Sequence, residues 1–348
     1  MNAQLKEEII PFAARDGKKL NLIHVLGPKP PSKGPVILVH GAGVRANIFR
    51  APVHTSIVDA LINDGFDVWL ENWRASVDFT PCAWTLDDAA LYDHPAAVDT
   101  VLEKTGATSM KAIIHCQGST SFAMSAVAGL LPNVDTIVSN AVSLHPIVSS
   151  FSRFKLNYIS PLVKLMTNYL NPHWGVDAPN LRAKFLLAFV KLTHHECDNN
   201  VCRFASFIYG TGFPTMWLHE NLNDETHEWL KEEFKAVPMS FFKQITQCVN
   251  AGHLTSVKQF PELPNNFIRD EPKTDARFAF FAGENNLCFL PKSQKLTFQF
   301  FNQFRTNFHK FHLLQNYSHL DVFMGKNAAT DVFPKILAEL NTPNNCFH

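Results

Sequence analysis

The chain has 348 residues, enough for one large domain or for a core with an inserted segment. Lys plus Arg and Asp plus Glu both number 31, so the formal net charge is zero, which argues against a nucleic-acid partner and against steering towards anionic membranes. The apolar fraction, 46%, is that of an ordinary soluble protein, whereas 30 phenylalanines are a large aromatic load to bury or to line a pocket with. The stretch from Met1 to Lys19 is charged and lacks the apolar run of a signal peptide. Nothing reaches the roughly 18 uninterrupted apolar residues of a membrane span. Seven cysteines, unevenly spread, are not a small disulfide scaffold. The sequon Asn316-Tyr317-Ser318 stands directly before His319, where a glycan would crowd the loop, so the expected location is cytoplasmic.

Two strand-like stretches, Glu8 to Ala14 and Leu20 to Leu26, flank the turn signal Asp16-Gly17. A Pro/Lys/Gly loop then leads into Pro35-Val36-Ile37-Leu38-Val39, an apolar run of the kind buried on both faces of a parallel sheet, and into His40-Gly41-Ala42-Gly43. Signals alternate from there: helix Val53 to Asn63, strand Phe66 to Trp69, helix Leu86 to Lys104, strand Lys111 to His115, helix Ser119 to Leu131, strand Thr136 to Ser139. That alternation marks a mostly parallel, doubly wound α/β sheet, in which ligands gather at the carboxyl ends of the strands. From Pro146 to Pro264 the pattern is helical and rich in His, Trp, Phe and Tyr. It then resumes with strand Arg277 to Ala282, helix Lys292 to Phe304, strand Lys310 to Leu314 and helix Ala328 to Leu340. The expected organisation is a core over 1–145, a helical lid over 146–264 inserted after strand 6, and the rest of the core over 265–348.

The segment Ile114-His115-Cys116-Gln117-Gly118 joins a strand to a helix through a sharp turn. The pattern G-x-S-x-G places a nucleophilic serine on a strained elbow at such a turn. Here Cys116 takes the serine position and Ile114 replaces the first glycine. The His40-Gly41-Ala42 loop has the form of an oxyanion loop, so the amides of Ala42 and Gln117 could hold a developing oxyanion. In Tyr317-Ser318-His319-Leu320-Asp321, after the final strand, His319 stands where a general base belongs.

Together these residues resemble the α/β-hydrolase superfamily, with a layout closest to its acid (gastric and lysosomal) lipase branch. Asn72-Trp73-Arg74, Tyr92-Asp93-His94-Pro95-Ala96 and His319-Leu320-Asp321-Val322-Phe323 also match. The chain is similar as well to the hydrolase-like domain fused to GMC-type flavin oxidoreductases. The resemblance implies an α/β-hydrolase fold and a third site residue three positions after the glycine ending the seventh strand. That position is Asn286, where the family carries aspartate; Glu284 is the competing orienter of His319. A Cys116–His319–Asn286 set is compatible with a resting thiolate–imidazolium pair, because a thiol beside a histidine at a helix N-terminus can already be ionised.

The expected activity is acyl hydrolysis through an acyl-enzyme on Cys116, acting on a lipid-like or aromatic ester, thioester or lactone. An acyltransferase or cyclase using the same acyl-enzyme is one alternative. A non-catalytic accessory partner of a flavin-dependent oxidoreductase is another. No cofactor and no metal are expected. The cluster His194-His195-Glu196-Cys197 with Cys202 fits no standard zinc spacing and reads as packing, capping or a local disulfide. Cys82, Cys248, Cys288 and Cys346 read as inert. Trp69, Trp73, Trp84 and Arg74 could wall the substrate or brace the neighbouring loop. In the inserted segment, Phe207, Tyr209, Phe213, Trp217, Phe241 and Phe242 could line an acyl channel or pack against the core.

Overall fold

Pro35-Val36-Ile37-Leu38-Val39 offers water no polar face. In the computed structural model, which describes residues 5–141, 144–195 and 197–343, all five residues are buried in the interior of an eight-stranded sheet. Its strands are β1 (Lys6–Ala13), β2 (Lys19–Leu26), β3 (Pro35–Val39), β4 (Asp67–Asn72), β5 (Met110–His115), β6 (Val134–Asn140), β9 (Arg277–Gly283) and β10 (Lys310–Leu314). Two-residue strands β7 (Tyr169–Leu170) and β8 (Val237–Pro238) make a separate antiparallel ribbon. The order across the large sheet is β1-β2-β4-β3-β5-β6-β9-β10. Only the pairings of β1 with β2 and of β2 with β4 are antiparallel. This is the mostly parallel, helix-flanked sheet expected from the alternation of strand and helix signals.

Element edges differ from the sequence reading for identifiable reasons. The first helix starts at Ile57 rather than Val53, because Ser56 and Asp59 form a reciprocal capping box there. The helix from Leu86 to Thr105 is continuous but widens into a π turn over Ala89–Asp93. The last helical stretch is split into Ala328–Asp331 and Phe333–Asn341. Pro334, in the first turn of the second piece, has no N–H with which to continue the preceding turn. Cys346 lies outside the described residues, as does Glu196.

Between β6 and β9 the chain leaves the sheet. It forms a helix from Ser150 to Met166 with a π turn over Lys155–Ile159, then helices Leu181–Thr193, Asn200–Tyr209, Asp224–Glu233 and Met239–Ala251. Polar ties bind this segment to the core: Ser240 Oγ donates to Trp84 O at 2.8 Å, and Asn221 Nδ2 donates to Asp321 Oδ2 at 2.7 Å. Among the described residues no helix is long and apolar enough to cross a membrane.

Candidate active site

Cys116 follows β5 directly and opens the helix Cys116–Val127, with φ of 55°. A non-glycine residue in this left-handed region costs on the order of 1–3 kcal/mol and persists only where its surroundings enforce it. Two glycines do so. A Cβ on Gly118 would stand 2.2 Å from the carbonyl oxygen of His40, and one on Gly41 would stand 2.8 Å from Cys116 Cβ. The loop after β3 and the elbow after β5 therefore touch backbone to backbone.

Ile114, the departure from the glycine pattern, is buried in β5, in register with Val39 of β3. In register with it on β6 is Ser139, whose hydroxyl meets that of Ser119 in the elbow helix at 2.7 Å. Below the elbow, His94 bridges Glu71 (2.9 Å to Nδ1) and the Ser121 hydroxyl (2.7 Å to Nε2), all fully buried. Trp73 Nε1 donates to His40 O at 2.9 Å. The Arg74 guanidinium is forked onto Asp93 with contacts down to 2.6 Å. Asn72-Trp73-Arg74 and Asp93-His94 thus brace the two loops that meet at Cys116, and of the two readings for Trp73 and Arg74 bracing is the one these bonds describe.

The backbone amides of Gln117 and Ala42 both point at the Cys116 sulfur. Burial outweighs them and pushes the thiol up to about 12. His319, in the loop after β10, is fully buried, and burial pushes it down to about 3. Cys116, His319 and His115 each present a donor atom within 4.8 Å of the other two, and the rings of the two histidines are 4.7 Å apart. Burial therefore favours the neutral thiol and the neutral imidazole over the thiolate–imidazolium pair expected from the sequence.

The loop after β9 sets the histidine's tautomer. Asn286 is buried and its Nδ2 lies 3.1 Å from His319 Nδ1, whereas Glu284 is exposed. Asn286 Oδ1 already accepts from the amides of Cys288 (3.0 Å) and Phe289 (3.3 Å). Its NH2 must therefore face the ring, so Nδ1 is the acceptor and the imidazole hydrogen sits on Nε2. Among the described residues that Nε2 has no hydrogen-bond partner. His319 is also locked to the inserted segment through Asp321, which accepts from Ser318 N (2.8 Å), Leu218 N (3.2 Å) and Asn221 Nδ2 (2.7 Å).

Cys116 and Gln117 form the floor of an apolar cleft enclosing about 800 Å³, including its open mouth. Its walls come mainly from the inserted segment, with Leu156, Ile159, Val163, Phe207, Tyr209 and Phe241 among them. Of the aromatics singled out in sequence, Phe207, Tyr209, Phe241 and Phe242 line the cleft; Phe213 and Trp217 do not. Two wall residues carry no sequence signal. Cys288, read as inert, lines the cleft as a thiol that burial holds well above its ordinary range. Lys155 donates to Phe207 O (2.7 Å) and to Gly210 O, and burial brings it down to about 8.

No protein-family model matches the chain. It is 22% identical to Sterol esterase 2 of Saccharomyces cerevisiae across 89% of its own length, and spans 64% of that relative. It is also 22% identical to human Lipase member K, again across 89% of its length and 79% of the relative. An esterase structure from Thermogutta terrifontis superposes with a TM-score of 0.54 at 11% identity, covering 97% of this chain and all of that one. With the sheet order and the elbow after β5, the structural likeness shows the α/β-hydrolase fold.

Proposed function

We propose that the chain is a hydrolase of apolar carboxylic esters that works through an acyl-thioester on Cys116. The observation that carries this reading is the elbow: a cysteine held at φ 55°, with two backbone amides on its sulfur, at the floor of an apolar cleft. An ester carbonyl entering along the cleft meets Sγ with its oxygen towards the Ala42 and Gln117 amides, the arrangement that stabilises a tetrahedral oxyanion. As Sγ attacks, the thiol proton passes to His319 Nε2. Collapse of the adduct breaks the carbon–oxygen bond to the alcohol, and the same proton goes to the departing oxygen. Water, deprotonated by His319, then hydrolyses the thioester and the thiol is restored.

The geometry adds one requirement. His319 Nε2 can accept a proton only after the ring hydrogen has moved to Nδ1, so Asn286 must turn its amide. Doing so leaves the two amides on Oδ1 unpaired, at about 1–3 kcal/mol each. The cycle is accordingly slower than one with a carboxylate at 286.

Residues 146–264 serve as the lid. Their helix 150–166 faces the cleft with Leu156, Ile159 and Val163 and leaves Phe151, Phe154, Tyr158, Leu162 and Leu165 exposed. An apolar outer face continuous with the cleft wall suits a lipid-like acyl group taken from an apolar phase. The names of the curated relatives, a sterol esterase and lipases, agree with that substrate class. Acyl transfer or cyclisation would use the same thioester with another acceptor in place of water.

The Asn286 orientation favours a second reading, in which the fold is non-catalytic. A series of p-nitrophenyl esters of increasing acyl length, assayed with Cys116→Ala in parallel, separates the two. Hydrolysis that rises with chain length and vanishes in C116A supports the hydrolase; equal rates in both proteins reject it.

A further inference from the structure

The inserted segment brings together four side chains that the sequence keeps up to 30 residues apart. Cys197 precedes Asn199, which caps the helix Asn200–Tyr209, and Cys202 lies in that helix's first turn. His219 begins the short turn His219–Asn221, and His227 projects from the helix Asp224–Glu233. One donor atom from each of the four lies within 4.8 Å of every other. Cys202 Sγ is 3.3 Å from His219 Nε2, and Cys197 Sγ is 3.5 Å from His227 Nε2.

We infer that these residues form a structural zinc site, Cys197–Cys202–His219–His227, independent of the chemistry at Cys116. Tetrahedral zinc with Zn–S of about 2.3 Å and Zn–N of about 2.0 Å separates sulfur from nitrogen by about 3.5 Å, close to the 3.3 and 3.5 Å of these two pairs. Two thiolates and two imidazoles are a donor set that selects zinc among the common divalent ions. The surroundings suit a thiolate: Asn199 N–H donates to Cys197 Sγ at 3.3 Å, and Asn199 Nδ2 donates to His227 O at 2.8 Å, tying both ligand segments to one residue. A surface cleft lined by Cys197, His219, His227, Leu222, Asn223 and Asp224 gives a path for entry. Binding is balanced by release of one proton from each thiol, so the neutral cluster takes up Zn²⁺ and gives two protons to solvent.

Cys-x4-Cys is an ordinary ligand spacing, but the histidines beside it in sequence are His194 and His195. His194 instead packs against Phe207 and Phe213. The histidines that complete the set stand on separate elements with seven residues between them, a spacing only the fold can close. Two residues beyond His219, Asn221 grips Asp321 in the His319 loop, as does Leu218 one residue before it. The metal thereby pins the part of the inserted segment that holds the histidine loop in place.

The test uses the full chain, purified without chelators and equilibrated with zinc chloride. Elemental analysis is expected to find about one zinc per chain, and X-ray absorption two sulfur and two nitrogen neighbours. Cys202→Ser and His227→Asn should each lose the metal, while Cys116→Ala keeps it. 1,10-Phenanthroline should lower the melting temperature of the wild type and leave that of the variants unchanged. Zinc-free protein, a sphere with one sulfur or none, or a Cys197–Cys202 disulfide in native digests would overturn the assignment. So would loss of zinc in C116A, which would locate the metal among His115, Cys116 and His319.

Discussion

Replacing Asn286 by aspartate turns one atom of the site from donor to acceptor. In the native site Nδ2 faces His319 Nδ1 at 3.1 Å, and the amides of Cys288 and Phe289 hold the other end of the side chain in place. An aspartate keeps those two bonds on one oxygen and offers the second oxygen to the ring. The imidazole hydrogen then sits on Nδ1, and Nε2 is free to take the thiol proton. With Cys116 pushed up to about 12, forming its thiolate at pH 7 costs about 7 kcal/mol at 1.36 kcal/mol per unit. A carboxylate about 4 Å from an imidazolium is worth about 4 kcal/mol at an effective dielectric constant near 20, or close to 10³ in rate. The reverse exchange in a serine triad, which also leaves the wrong tautomer, costs about 10⁴, so the estimate lies in a realistic range.

The assay is the rate of Cys116 carbamidomethylation by iodoacetamide, read by peptide mass spectrometry from pH 6 to 9. The wild type should react slowly, with a rate rising tenfold per pH unit throughout, since the thiol titrates well above that window. Asn286→Asp should react about 10³ faster at pH 7 and hydrolyse p-nitrophenyl esters faster in proportion, whereas Asn286→Ala should gain nothing. A folded Asn286→Asp variant no faster than wild type, or a wild-type rate already flat at pH 7, would refute the assignment of tautomer and protonation.

Gly118→Ala sets a methyl 2.2 Å from His40 O and must push the two loops apart. Ester turnover should fall by about 10² while the protein still folds, as circular dichroism can verify. Asp93→Ala takes away the buried carboxylate that accepts most of the Arg74 guanidinium's bonds, leaving it Asp16 at 2.9 Å, and should cost about 3 kcal/mol in urea unfolding. His40, His309 and His319 are each held down to about 3 by burial, below the ordinary value of 6.5. The unfolded chain takes up protons there as pH falls below 6.5 and the folded one does not. Stability is therefore full above about pH 7 and is lost on acidification towards pH 3, by up to about 4 kcal/mol per pH unit for the three together. A melting temperature unchanged between pH 7 and pH 4.5 would contradict this.

Local chemistry is what the sequence made legible. The alternation from Pro35 to Ser139 carries the sheet, and the short-range pattern Cys116-Gln117-Gly118 carries the elbow, because glycine at 118 has a backbone reason that holds in any copy of this turn. Asn286 could be counted off from the end of β9. Its orientation could not, since it depends on the amides of Cys288 and Phe289 and inverts the hydrogen bond that position usually makes. The protonation of Cys116 and His319 depends on the fold in the same way. Proximity to a helix N-terminus favours a thiolate, but complete burial opposes it, and burial is a property of the fold. The cleft walls, Lys155 and Cys288 among them, and the Cys197–His227 cluster arise from helices packing across the inserted segment. Their periodicity fixes which residues are apolar, not which ones meet.

The account stands on Cys116 as the atom that receives the acyl group. Mixing the protein with a p-nitrophenyl ester of a medium-chain fatty acid, quenching in acid and digesting with protease tests this directly. The predicted result is a burst of p-nitrophenol with one acyl group on the Cys116 peptide, removable by neutral hydroxylamine and missing from C116A. Turnover with the acyl group on another residue, or undiminished turnover in C116A, would contradict it.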